Sequence, residues 1–295
     1  MQIDEIQIAT GENSFQTAEF EPNDKTIDYE TNRNLSYADI VSISNGLNVI
    51  SEFYDVMSVA TVTPIGICAV ALGKTLLEAV TSAMDSNPID FLSSTVVLSN
   101  EVDSETTKLL KDTHIIVAPK FTKNAIDYLE AHDVCYVIIK TPLKEYKKYL
   151  SNQILETPLG TLRQSPNQSE LNKDSFKVVT KIKPTVEQIE DAVFAWKVAK
   201  HVKSRAIVIA KDLKTKAVAQ GLQAASIEYA LDYSCDGSKE AILACDMGIT
   251  VHDLNVAAQG RISVLILPVA TKDIIAQADK YNMSVITTGF SNISY

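Results

Sequence analysis

One stretch of the chain concentrates side chains that can hold an anion. In DAVFAWKVAKHVKSRAIVIAK, residues 191–211, Lys197, Lys200, His201, Lys203 and Arg205 follow the single tryptophan, Trp196. Two readings compete. Cations in the last turn of a helix complement its dipole. Alternatively, Lys203-Ser204-Arg205 forms a turn between helix and strand where backbone N–H groups and cations meet an anionic ligand, a role for which the guanidinium of Arg205 is suited. Elsewhere the chemistry-bearing residues are sparse. The four cysteines, Cys68, Cys135, Cys235 and Cys245, stand far apart in a chain with no C-x-x-C, and they read as small buried hydrophobes. The four histidines, His114, His132, His201 and His252, show no zinc-ligand spacing, so no metal site is expected. Phosphate-cradling G-x-x-x-x-G-K-[ST], dinucleotide G-x-G-x-x-G and nucleophile-elbow G-x-S-x-G patterns do not occur.

Composition narrows the classes. A formal charge of −10 argues against nucleic-acid or anionic-membrane binding, leaving an anionic small ligand only where cations gather locally. The start MQIDEIQIATGEN has neither the basic region nor the apolar core of a signal peptide, and no run approaches the roughly 20 apolar residues of a membrane span. A cytoplasmic location is the expectation.

The elements that must position these residues alternate. Ile40, Ile43, Leu47, Ile50 and Phe53 recur at helical spacing over residues 37–54. A β-branched run at 56–62 predicts a buried strand, followed by a helix at 75–83, a strand at 95–98, a helix at 104–111, a strand at 115–117, a helix at 123–131 and a strand at 135–139. Residues 11–34 read as irregular. Pro142, Pro158, Gly160, Pro166, Asn167 and Asn172 punctuate the next stretch. A second series follows: helix 186–201, strand 206–210, helix 220–231, strands 242–244 and 265–267, helix 272–281 and strand 284–287. The expected fold is α/β, a mixed sheet flanked by helices in each of two lobes, residues 1–150 and 176–295, joined by a linker at 151–175.

With these elements in place, the stretch around Trp196 resembles the transformylase domain of the bifunctional purine-biosynthesis family, which formylates the nucleotide AICAR with 10-formyltetrahydrofolate. The family's V-T-K-x-x-P-T stands here as Val179-Thr180-Lys181 and Pro184-Thr185, and its F-A-W-K-V-x-K-x-V-K-S-N-A-I-V as FAWKVAKHVKSRAIV. R-Y-G-E-N-P-H-Q is similar to residues 9–16, L-S-Y-N-N to 35–39, I-A-P-x-F to 117–121, and S-D-A-F-F-P-F-x-D to 245–253. The resemblance runs in order over nearly the whole chain. It implies two cytidine-deaminase-like lobes and an active site at a homodimer interface. This sequence has no counterpart of the family's separate cyclohydrolase domain, so no ring closure is implied.

The departures fall where the family does its chemistry. K-H-x-N-P-C-G, whose Lys and His assist proton transfer, aligns with Ala60-Thr61-Val62-Thr63-Pro64-Ile65-Gly66. A methyl group cannot donate a charge-assisted hydrogen bond, and Thr61 has no pKa near neutrality. The opening Arg-Tyr is Ala9-Thr10. S-A-F-G-G is Asp90-Phe91-Leu92-Ser93-Ser94, G-I-G-A-G-Q-x-S-R is residues 217–225, Q-P-G-G-S is 267–271, and the closing R-H-F-R-H is 291–295. Turn- and core-forming residues persist while ligand-facing polar residues are replaced. The expectation is a catalytically degraded relative with no intact catalytic residue and a binding or regulatory role, pairing as a homodimer or as a heterodimer with an active transformylase paralogue. Candidate ligand contacts are Thr61, Lys200, Lys203, Arg205 and Asp253, the last on the family's folate-ring Asp or else a helix N-cap. An anionic nucleotide or folate is the expected ligand class, and 10-formyltetrahydrofolate a cofactor only if the family activity survives. The alternative is an active transferase with a rebuilt pocket, which requires Lys203, Arg205, Thr61 and Asp253 to converge on a cleft that Asp90, Phe91 and Leu92 do not fill.

Overall fold

A computed structural model describes residues 7–10, 13, 16–171 and 176–294. The opening Gly11, Glu12, Ser14 and Phe15 of the family-like motif, the end of the expected linker and the terminal Tyr295 lie outside the described residues.

Strands β1 (Gln7–Thr10), β2 (Thr17–Phe20) and β3 (Tyr29–Thr31) precede helix α1 (Tyr37–Ile50). Then come β4 (Met57–Val62), β5 (Ile67–Gly73), α2 (Leu76–Ser86), α3 (Pro88–Phe91) and β6 (Thr95–Leu98). The first half closes with α4 (Ser104–Leu109), β7 (Ile115–Ala118), α5 (Lys123–Ala131) and β8 (Cys135–Ile139). A ribbon of β9 (Gln153–Thr157) and β10 (Gly160–Gln164) follows. The second half holds β11 (Lys177–Val178), α6 (Val186–Ala199), β12 (Ile207–Lys211), β13 (Lys214–Ala219) and α7 (Gln223–Ser234). It ends with β14 (Ile242–Cys245), α8 (Val251–Gln259), β15 (Val264–Leu267), α9 (Lys272–Lys280) and β16 (Ser284–Thr287).

Twelve of these strands form one mixed sheet in the order β11-β16-β15-β14-β12-β13-β5-β4-β6-β7-β8-β3. Each half has the same pattern. An antiparallel hairpin, β4–β5 or β12–β13, has its first strand antiparallel to β6 or β14. Two parallel neighbours and a short antiparallel edge strand follow. The halves meet where β13 pairs with β5. There the Val70 N–H donates to Thr215 Oγ1 at 3.0 Å, and the Leu72 N–H donates to the Leu213 carbonyl at 3.0 Å.

Alternation along the strands sends side chains to both faces. Ala60, Val62, Val97, Val208, Ala244 and Ile266 pack under α1 and α6 in one core that spans both halves. Val59, Val96 and Leu98 face α2, α4 and α5, while Ile209, Leu243 and Leu265 face α7, α8 and α9. A sheet covered on both faces accounts for the near-continuous apolar strands. Both α1 and α6 start with capping boxes, Ser36 with Asp39 and Thr185 with Gln188, which satisfy otherwise orphaned N–H groups.

The expected strands at 56–62, 95–98, 115–117, 135–139 and 284–287 and the helix at 123–131 fall where the structure has them, within a residue or so. Residues 11–34, expected to be irregular, contain β2 and β3. The hairpin partners β5 and β13 and the ribbon β9–β10 lie in stretches where no element was expected, while the helix expected after Asp253 is α8, which begins before that residue rather than after it. Lys214–Ala219 runs as three polar residues followed by three apolar ones, and its alternating burial appears only once it pairs on both sides as a sheet strand. Of the cysteines, Cys135 and Cys245 are buried as expected, whereas Cys235 is exposed and Cys68 only half-buried.

Candidate functional site

The cations at the end of α6 are met by one carboxylate. Lys200 Nζ donates to Glu52 Oε1 at 2.8 Å and to the Ser169 carbonyl at 2.8 Å. His201 Nε2 lies 3.3 Å from the same Oε1, and Lys147 Nζ lies 3.7 Å from Oε2. Lys197 Nζ donates to the Glu52 backbone carbonyl at 2.9 Å and sits 5.2 Å from the Phe53 ring centroid. Burial by itself raises the Glu52 carboxyl, but hydrogen bonds from His201 and Lys200 outweigh it and pull the pKa down to about 2. Burial pushes the His201 imidazole below its ordinary value although Glu52 opposes this, so Lys200 is the permanent charge partner. These contacts tie Lys197, Lys200 and His201 to Glu52, a pairing that neither the helix-dipole nor the anion-turn reading named.

The turn Lys203-Ser204-Arg205 is occupied by the chain itself. The Ser204 N–H donates to the Ser294 carbonyl at 2.7 Å, the Arg205 N–H to the Gly221 carbonyl at 3.4 Å, and the Ala206 N–H to Asp246 Oδ1 at 3.0 Å. Ser204 Oγ donates to Asp246 Oδ2 and accepts from the Ser294 N–H at 3.0 Å. Three successive N–H groups are thus spent internally, which corrects the expectation of a backbone anion cradle. Lys203, itself exposed, joins Lys200 and His201 along a cleft of about 410 Å³ whose described lining holds no Asp or Glu.

The remaining candidates are elsewhere. Thr61 is fully buried in β4, its Oγ1 donating to the Ala69 carbonyl at 3.4 Å, so it presents no surface to a ligand. Asp253 is 4 % exposed and is the third residue of α8, not its N-cap. Thr250 is the cap, and Asp253 Oδ2 accepts from the Thr250 N–H at 2.8 Å and from its Oγ1 at 2.9 Å. Thr61, Arg205 and Asp253 do not join Lys200 and Lys203 along the cleft.

Three of the altered family segments do come together. The loop at Thr63 to Gly66, the segment from Asn87 to Asp90 and the end of β13 enclose a second cleft of about 320 Å³. The loop closes on itself, the Thr63 N–H donating to the Gly66 carbonyl at 2.9 Å, and Gln220 Nε2 reaches the Ile65 carbonyl at 3.4 Å. Tyr229 and Tyr233, one turn apart on α7, form a wall with their rings stacked 5.9 Å apart. Phe91 turns away into the core and Leu92 stays half-exposed, so Asp90 is the one member of that trio on the lining. No Lys, Arg or His lines this cleft among the described residues. Burial, reinforced by the negative charge of Asp90, pushes the Cys68 thiol up to about 12, which makes it a poor nucleophile.

Sequence reasoning missed Cys68, Asn87, Tyr229 and Tyr233. The i, i+4 tyrosine pair was a usable signal; nothing marked Cys68 apart from the buried cysteines. Among the described residues no group of three His, Cys, Asp or Glu is placed to hold a metal, and no helix is long and apolar enough to cross a membrane.

Comparison with known proteins agrees with the motif resemblance. The model of the AICARFT/IMPCHase bienzyme family matches residues 2–231. The bifunctional purine biosynthesis protein PurH of Caldicellulosiruptor saccharolyticus is 31 % identical over 271 residues, covering 89 % of this chain and 52 % of the relative. PurH of Anoxybacillus flavithermus is 29 % identical over 300 residues, covering 97 % and 58 %, and that of Rippkaea orientalis 31 % over 266, covering 87 % and 51 %. The chain spans a little over half the length of these relatives.

Proposed function

Because the chain belongs to the AICARFT/IMPCHase bienzyme family, we propose that it is a transformylase-like member that has lost formyl transfer and acts by binding or regulation. One observation carries this reading: among the described residues, none lining the cleft where the altered segments meet carries an imidazole or an ammonium group. Attack of an amine on a formyl carbon requires a proton to leave the nitrogen, and a missing general acid or base alone costs about 10²–10⁴ in rate. Cys68, with its thiol near 12, and the buried Thr61 do not replace that function.

A regulatory role goes with assembly, as a homodimer or as a heterodimer with an active transformylase paralogue, in the cytoplasm. The division into residues 1–150, a linker at 151–175 and residues 176–295 belongs to the same proposal, each side supplying one half of the sheet.

The test is direct. Purified protein incubated with AICAR and 10-formyltetrahydrofolate is expected to release no tetrahydrofolate above the protein-free rate. Turnover abolished by mutations at Asp90 or Gln220 would instead establish the active, rebuilt transferase. Co-purification from the native host tests the pairing, and recovery with neither itself nor a transformylase removes it.

A further inference from the structure

The Asp90 cleft differs from a phosphate site in every respect that electrostatics controls. Its one formal charge among the described lining residues is the carboxylate of Asp90, in a chain of net charge −10. Asn87 orients that carboxylate, its Nδ2 donating to Oδ2 at 2.8 Å while the Asp90 N–H donates to Asn87 Oδ1 at 3.1 Å. Among the described residues no Lys, Arg or His forms an ion pair with Asp90. Its field reaches across the cleft, since it contributes to the raised pKa of both Cys68 and Tyr233. The same lining carries the stacked tyrosine pair, with Tyr229 57 % exposed and its ring open to a partner. Ile65 and Val218 add apolar surface to it. A carboxylate and an aromatic wall lining one cleft favour a flat cation, which gains from the ring quadrupole as well as from the charge.

We propose that this cleft binds a planar, positively charged nitrogen compound, an amidinium or a protonated aminoheterocycle, with its N–H groups on Asp90 and its ring against Tyr229. The inference rests on the reading of this cleft as a binding site and narrows its ligand class. Anions are turned away, because a phosphate or carboxylate entering here meets Asp90 with no cation to offset it.

Calorimetric titration of the full chain with benzamidine, and with benzoate as the same ring carrying the opposite charge, decides the matter. Benzamidine is expected to bind saturably while benzoate and inorganic phosphate do not. Asp90→Asn is expected to raise the benzamidine Kd at least tenfold, and Tyr229→Ala to raise it several-fold. Asp90→Lys is expected to reverse the preference toward benzoate, which distinguishes a local charge effect from a damaged fold. Absence of saturable benzamidine binding, benzoate binding as tightly, or an unchanged Kd in Asp90→Asn overturns the proposal. The formyl-transfer assay is read separately: turnover would remove the degraded-enzyme reading, whereas the titrations alone decide the ligand class.

Discussion

Glu52, behind the cations of one cleft, and Asp90, on the lining of another, are both carboxylates, and the difference between them separates structure from site. Glu52 is 8 % exposed at its side chain and is surrounded by Lys200, His201 and Lys147, with Lys197 on its backbone carbonyl. Asp90 is exposed, oriented by Asn87, and shares its cleft with tyrosine rings and, among the described residues, with no cation. A buried charge must be paired or the fold pays several kcal/mol, so the α6 cations are retained for stability whatever else the chain does. An exposed, unpaired carboxylate costs the fold little and leaves its field available to a ligand. The concentration of cations that looked most like a binding site is therefore largely consumed internally.

Breaking the pairing has the largest expected effect. Lys200→Met leaves Glu52 buried without its permanent partner and is expected to lower unfolding free energy by about 3–5 kcal/mol, measured by urea titration. A loss below about 1 kcal/mol would show that Glu52 is not held by Lys200. Acid sharpens the same point. The folded pKa of Glu52 is depressed from 4.5 to about 2, so its stabilisation is complete above pH 4.5 and is lost as pH falls toward 2. That window carries about 3 kcal/mol. His201, depressed below its ordinary 6.5, acts in the same direction because the unfolded chain takes up its proton first. Urea midpoints at pH 7, 5 and 3 are expected to fall steeply over the last interval, and less so in Lys200→Met.

Smaller effects mark the other side of the comparison. Asp253→Ala removes the capping-box partner of Thr250 and is expected to cost about 1 kcal/mol in thermal melts. Asp90→Asn is expected to change stability by no more than about 0.5 kcal/mol, as a surface substitution that keeps the Asn87 geometry. A large destabilisation there would make Asp90 another structural carboxylate.

Much of the fold was legible because burial on both sheet faces writes strands as apolar runs. Thr95–Leu98, Cys135–Ile139 and Ser284–Thr287 could be read directly, and so could the helix Lys123–Ala131. The hairpin partners were not legible. Ile67–Gly73 reads as a continuation of a loop until β13 is found beside it, and Lys214–Ala219 carries three polar side chains that pairing places at the seam between halves. The site was half legible. Altered segments at 60–66, 90–94 and 217–225 pointed to one region, but Tyr229 and Tyr233 join them only through packing of α7 against the sheet, and Cys68 through the start of β5.

By itself the sequence determined the family and the α/β alternation, because these are matters of residue type, order and local periodicity. Which charges are spent and which are offered was decided only by the tertiary structure. Glu52 lies far from Lys200 along the chain, and Asp90 far from Tyr229; an electrostatic partner is set by distance in space and by burial, neither of which a linear order records.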